Sequence, residues 1–264
     1  MTKQNLNTIL TDIVLMDPKI NLNKITVLLS PDYNITSKIL RDLFNSAKKK
    51  FDLLNIDSGN ENSEIDFSVY VEPITSMFYY NSTPLKLGER LGRLRSMVRE
   101  EYIEIAISKV YDELERIRNE LASSMSKVED VEEEFRIITR VMEYKDGIDP
   151  SKPFSYPALI ALVSIYVYAL AVDMSTLFIV DSPEAFAYPS LAYAIARVLR
   201  RLTLDSPYMK LVIYTNSWDV FAGAYRGDPN SVTTYYIKER NDGVTIQEVD
   251  DLYMPGFRVS TLLR

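Results

Sequence analysis

A pattern repeated along this 264-residue chain constrains its fold more than any other feature. A short apolar, β-branched run closes on turn residues and gives way to helical periodicity. Ile25 to Leu29 ends at Ser30-Pro31-Asp32, after which Ile39, Leu40, Leu43, Phe44 and Ala47 recur at helical spacing. Lys48, Lys49 and Lys50 follow, where cations would suit the last turn of that helix. A polar loop from Asp57 to Glu64 leads to a second strand, Phe67–Val71. Leu177 to Val180 ends at Asp181, and Pro189 opens a helix with Leu191, Ile195, Val198, Leu199 and Leu202 on one face. Leu211 to Tyr214 closes on Thr215-Asn216-Ser217. Val232–Lys238 and Val244–Val249 flank Asn241-Asp242-Gly243, a hairpin signal. Alternation of this kind predicts an α/β fold with a mostly parallel sheet, finished by a C-terminal β-hairpin.

Between the second and third strands the pattern is helical. Leu87, Leu91, Leu94 and Val98 step by four, three and four; Ile103, Ile107, Val110, Leu114, Ile117 and Leu121 continue the rhythm. After Ser123-Ser124 it restarts with Val128, Val131, Phe135, Ile138 and Met142, and Ser126 with Glu129 forms a capping box. The expectation is two antiparallel amphipathic helices over 86–145, a helical hairpin inserted in a single domain spanning 1–264. Packing on the domain is favoured over a protruding coiled coil.

The chain contains no cysteine and no histidine. Disulfides, thiolate or imidazole metal sites and His-dependent triads are therefore excluded, leaving carboxylate, Lys, Tyr and Ser/Thr chemistry. A net charge of −7 argues against a surface that coats nucleic acid. The absence of Cys and the use of only Gln4 and Gln247 lean towards a thermophilic source. Met1 to Thr11 is polar, unlike a signal peptide. The uncharged stretch Pro153 to Val172 approaches spanning length, but its Ser and Tyr content and the apolar run at Thr176 to Val180 fit a buried helix feeding a buried strand. A cytoplasmic protein without membrane partners is expected, in which the sequons at Asn34 and Asn81 carry no meaning.

Leu177-Phe178-Ile179-Val180-Asp181-Ser182-Pro183-Glu184 resembles the Walker B region of ABC-type ATPases, and the strand ending in Thr215-Asn216-Ser217 resembles the switch strand that there ends Thr-His-Ser. With these in place, Ser30-Pro31-Asp32-Tyr33-Asn34-Ile35-Thr36-Ser37 aligns with Gly-Pro-Asn-Gly-Ser-Gly-Lys-Ser. Phe154-Ser155-Tyr156-Pro157-Ala158 falls where the Leu-Ser-Gly-Gly signature would stand. The chain thus resembles, over nearly its whole length, the compact RecF- and SMC-like ABC ATPase heads, a P-loop NTPase fold with a helical insertion before the signature.

The departures from that pattern carry the functional expectation. Thr36 replaces the phosphate-binding Lys, Tyr33 and Ile35 replace glycines, Tyr156 and Pro157 replace the signature glycines, Ser182 replaces the catalytic Glu, and Asn216 replaces the switch His. Ser37 and Asp181 alone keep chemistry suited to Mg²⁺. Charge-assisted hydrogen bonds are worth ~1.5–3 kcal/mol each, against about 8 kcal/mol in all for a micromolar site. Lys38 and Arg41 follow the loop, but helix geometry turns them from its mouth. Glu184 could serve as a base, with a helix-entry carboxylate as its plain reading. The resemblance therefore implies a pseudo-ATPase with no cofactor, no metal and no catalytic residue, whose vestigial site comprises Ser30, Tyr33, Ile35, Thr36, Ser37, Ser155, Tyr156, Asp181, Ser182 and Asn216. Such a subunit would act by self-association or with a protein partner, in DNA maintenance, defence or a mobile element. The alternatives are a divergent ATPase completed by a partner and a nucleic-acid-binding module. Arg90, Arg93, Arg95 and Arg99 are the candidate contacts for weak nucleic-acid binding, with a solvated helix face as the plainer reading. Self-association is expected through exposed Tyr33, Ile35, Tyr156 and Pro157, with filling of the emptied pocket as the alternative. Trp218 and Phe221 read as core.

Overall fold

The strands assemble into one sheet with the order β2-β3-β4-β5-β1-β6-β7. These are β1 (Ile25–Leu29), β2 (Lys50–Asp52), β3 (Phe67–Val71), β4 (Thr176–Asp181), β5 (Met209–Thr215), β6 (Val232–Arg240) and β7 (Gly243–Glu248). Pairing is parallel throughout except for the β6–β7 hairpin. The structure is a computed structural model, and it describes residues 20–31, 33–45, 50–52, 65–73, 84–124, 128–139, 155–225, 231–240 and 243–249. Every residue of β1, β3 and β4 is buried, as expected of strands covered on both faces.

The two faces are covered unequally. Helix α1 (Tyr33–Asn45) lies on one, where Leu40, Leu43 and Phe44 join Leu28, Tyr70, Ile179, Val212 and Tyr214 in a small core. The other face carries α2 (Pro84–Ser96), α3 (Glu100–Ser124), α4 (Val128–Thr139), α5 (Tyr156–Leu170), α6 (Pro189–Asp205) and α7 (Trp218–Tyr225). Their apolar stripes meet Val27, Val69, Val180 and Ile213 in the larger core. At the centre is α5, apolar all round and buried at every position. It is the buried helix anticipated from the uncharged stretch, and no helix among the described residues is long and apolar enough to cross a membrane.

Three local expectations need correction. Lys50, expected in the last turn of helix α1 (Tyr33–Asn45), instead opens β2, where it pairs opposite Ser68 of β3; Lys48 and Lys49 lie outside the described residues. The stripe from Leu87 to Leu121 is two helices, not one. At the break, Met97 and Val98 donate to carbonyls three residues back (3.2 Å each), and the Arg99 carbonyl then accepts from Tyr102 at 3.1 Å to start α3. Glu100 and Glu101 lie in that first turn, where their charges suit the helix dipole. The third concerns the expected hairpin strands, which run to Arg240 and restart at Gly243, so only two residues connect them. The capping box at Ser126 and the tip residues Asn241 and Asp242 lie outside the described residues.

Helix α3 packs along the domain, with Ile103, Ala106, Val110, Leu114, Ile117 and Leu121 all in the larger core. Polar contacts pin it to α6. Arg197 donates through Nε to Glu113 Oε1 at 2.8 Å and through Nη1 to Glu120 Oε2 at 2.9 Å. One helical turn along, Lys109 pairs with Asp205 at 2.6 Å.

Candidate functional site

Helix α1 leaves the C-terminal end of β1 on one face of the sheet, while α7 leaves the neighbouring β5 on the other. The region beyond the C-terminal strand ends is the usual ligand position in open α/β sheets. The structure places Ser30, Asp181, Ser182 and Asn216 at those ends. Ser30 follows β1, and its carbonyl accepts from the Tyr214 hydroxyl at 3.2 Å. Asp181 ends β4, and the Ser182 N–H donates to the Tyr214 carbonyl at 2.9 Å. Asn216 follows β5, its N–H donating to Glu184 Oε1 at 3.0 Å.

The centre of the site is a carboxylate ringed by hydroxyl groups. Asp181 is fully buried. Its Oδ2 accepts from the Tyr70 hydroxyl at 3.1 Å and its Oδ1 from the Ser182 hydroxyl at 2.7 Å. Its backbone carbonyl accepts from the Tyr156 hydroxyl, which also lies 3.4 Å from the Val71 carbonyl. Tyr33 stands against Tyr214, with ring centroids 6.1 Å apart. Its enclosed hydroxyl has no hydrogen-bond partner in range. Burial, followed by the charges of Asp181 and Glu72, pushes that hydroxyl up to about 12. Ser182 adopts φ 48, a left-handed conformation uncommon for a non-glycine residue, and the same is true of Phe186 at φ 61.

The remaining positions are less available to a ligand. Thr36 is fully buried and Ser37 is half-buried. Ile35 packs on the small core. Ser155 is exposed and caps α5, its Oγ accepting from the Ala158 N–H at 3.4 Å. Lys38 and Arg41 point to solvent. Tyr156 and Pro157, expected at an exposed association surface, are buried, because the α5 N-terminus is driven into the core and the Tyr156 hydroxyl finds partners there. Tyr33 is half-buried. Phe221 is in the larger core as read from the sequence, and half-buried Trp218 packs against it, the two ring centroids 5.2 Å apart and the planes tilted by 51°.

Glu72 and Tyr70 were missed in the sequence, although Glu72 directly follows β3 just as Asp181 ends β4. That shared placement was the available signal. Among the described residues, no group of three His, Cys, Asp or Glu side chains is placed to hold a metal ion. The arginine stretch belongs to α2 and its C-terminal end. Arg93 pairs with Glu89, Arg95 with Glu100 at 3.5 Å, and Arg99 with Asp173 at 3.6 Å. Arg93 and Arg99 are exposed, and Arg90 and Arg95 half-buried.

No protein-family model matches the chain, and no curated protein matches it in sequence. Among the solved structures similar to it at a low level are these three. One is the archaeal ribosome recycling factor in complex with an archaeal ribosomal stalk protein, at 13% identity and TM-score 0.35, covering 86% of this chain and 39% of that one. Another is the Smc head domain of Pyrococcus furiosus bound to the C-terminal domain of ScpA, at 12% identity and TM-score 0.32, covering 69% and 61%. The third is an RNase-L inhibitor at 13% identity and TM-score 0.32, covering 85% and 38%. The chain therefore spans less than two thirds of each. Similarity at this level carries no functional argument.

The buried carboxyl makes a pH prediction. Burial holds Asp181 up to about 6, with the Ser182 and Tyr70 hydrogen bonds pulling down and Glu72 pushing up. The unfolded chain has an ordinary aspartate, so between about pH 4 and 6 the native state binds more protons, and stability falls as pH rises through that window. Asp181→Asn should remove this dependence. The variant is expected to be more stable than wild type above pH 6, by on the order of 2 kcal/mol, with the gap closing near pH 4. Urea titrations across this range check it; a gap that widens on acidification contradicts the assignment.

Proposed function

We propose that this chain is a catalytically inactive, ABC-type ATPase-like protein with a P-loop NTPase fold, serving as an interaction or scaffold subunit. The observation that carries the reading is the engagement of Asp181. Both of its carboxylate oxygens accept from hydroxyls of the same chain, beneath a half-buried Tyr33. In a working site of the family it resembles, that carboxylate would serve Mg²⁺, and a lysine would stand where Thr36 is buried. Restoring a nucleotide site would require displacing Tyr33 and breaking the Tyr70 and Ser182 hydrogen bonds, with no lysine to repay the loss.

The interaction role draws on a different surface from the one expected. The loop after β4 presents Phe186 and Tyr188, 64% and 66% exposed. It is held by two turns, Ala185 N–H to Ser182 carbonyl at 2.8 Å and Ala187 N–H to Glu184 carbonyl at 3.0 Å. Exposed aromatics on a preorganised loop are the residue types that anchor protein interfaces.

ATP or GTP with Mg²⁺, up to millimolar concentration, should leave the melting temperature unchanged and give no hydrolysis above blank. A saturable thermal shift that disappears in Asp181→Ala would replace this reading with that of a divergent ATPase completed by a partner's Lys or Arg.

A further inference from the structure

At the end of the sheet opposite the candidate site, two lysines stand side by side. Ile25 lies opposite Leu211 in the β1–β5 ladder, so Lys24 lies opposite Lys210. The Leu211 N–H donates to the Lys24 carbonyl at 3.1 Å, which closes the pair. Like charges facing each other across a ladder repel. Both ammonium groups nevertheless turn inward. Lys24 Nζ donates to the Ser206 carbonyl, and Lys210 Nζ donates to the Leu22 carbonyl at 3.1 Å. Ser206 and Leu22 are themselves 2% and 1% exposed, so the amines lie against the interior while both lysines keep partial access to solvent. Among the described residues, no carboxylate lies within ion-pair distance of Lys24.

An ammonium that has lost water and stands near a second cation is destabilised relative to the free amine. Burial first, and Lys210 second, bring the Lys24 pKa down to about 8. At pH 8 about half of Lys24 is then free amine, against less than about 1 % for a lysine at its ordinary value. Lysines desolvated beside a second cation are suited to imine formation.

We propose that Lys24 is a covalent attachment site whose amine condenses with aldehydes and α-oxo compounds carrying an anionic group, the Lys210 ammonium holding the anion. The Lys24 nitrogen lone pair forms the bond to the carbonyl carbon, the carbonyl oxygen leaves as water with two protons from the amine, and a C=N bond remains. Borohydride then reduces that bond to a secondary amine and is itself oxidised.

The probe is pyridoxal 5′-phosphate, limiting and at pH 8, trapped with borohydride and mapped by peptide mass spectrometry on the full chain. Lys24 is expected to be labelled at least about tenfold faster than the exposed Lys38 and Lys238, which serve as internal references. Labelling of those residues first, or even labelling of all three, overturns the proposal without need of any variant. The anion clause has its own test in Lys210→Met, checked for native circular dichroism. The preference of Lys24 for pyridoxal 5′-phosphate over unphosphorylated pyridoxal should fall several-fold; an unchanged preference shows that Lys210 does not hold the phosphate.

Discussion

Replacing Arg197 with alanine is expected to lower stability by about 3–5 kcal/mol, the range for removing one partner of a buried ion pair. The guanidinium side chain is 12% exposed and that of Glu113 6%, so the substitution leaves a carboxylate enclosed between α3 and α6 with its main counter-charge gone. Glu120, at 40% exposure, can turn to water and limits the loss. The pair as a whole is a different matter, because its attraction is offset by the desolvation of both charges. Arg197→Leu combined with Glu113→Leu should lie within about 1 kcal/mol of wild type if the leucines pack. The contrast with Arg93–Glu89 sets the scale: both of those side chains are 60% exposed, and a surface pair at that spacing contributes about 0.3–0.5 kcal/mol. Urea unfolding of the two variants decides the matter. A loss below about 1 kcal/mol for Arg197→Ala would mean that water reaches Glu113.

Two glycines within helices should respond to alanine with opposite signs. At Gly223 in α7 an added Cβ would lie 2.5 Å from the Tyr193 carbonyl oxygen and 2.9 Å from Ala196 Cβ, so backbone of α6 stands in its way. Helix preference favours alanine by up to about 1 kcal/mol, but overpacking against main chain costs about 1–3 kcal/mol or more. Gly223→Ala should therefore be destabilising by about 2 kcal/mol, and Gly223→Val by more, as α7 is forced off α6. At Gly92 in α2 an added Cβ meets nothing within 4 Å. There the propensity term acts alone, and Gly92→Ala should stabilise by roughly 0.5–1 kcal/mol. Thermal melts of the two alanine variants should move in opposite directions, and a melt of Gly223→Ala at or above wild type would refute the close contact.

Periodicity made the strands around the site legible: β1 and β3 were placed as observed, and β4 and β5 to within a residue or two. Turn chemistry gave the final hairpin its place. The α2–α3 break was not legible, because Leu94, Val98 and Ile103 continue the apolar rhythm across it, and hydrogen bonding alone separates the helices. Nor was β2, which owes its existence to pairing with β3 and not to its own residues. At the site, motif order located Asp181, Tyr33 and Tyr156, but a one-dimensional pattern does not say whether a tyrosine in a loop faces water. The buried, hydrogen-bonded position of Tyr156 comes from the packing of α5, and Tyr70 is visible only as one alternate residue of a strand. Glu113 sat beside Leu114 on an apolar stripe, which is where a charge signals a partner, although Arg197 could not have been named without the fold.

The central strands are covered on both sides, and this has a consequence for how the chain finds its alignment. In β5, Leu211 and Ile213 enter one core while Val212 and Tyr214 enter the other. Both sets are apolar, so a slip by one residue would exchange the two without exposing an oily face, and the usual hydrophobic penalty on misregistered strands is weakened. What resists the slip is polar punctuation at the strand ends: Ser30 after β1, Asp181 closing β4, Thr215 closing β5. Moved one step inward, Asp181 would lose the Tyr70 hydroxyl of the neighbouring strand and carry its carboxyl into hydrocarbon. The polar cluster thus acts as a set of end-stops for sheet assembly, a selective reason to keep these residues that is independent of any ligand.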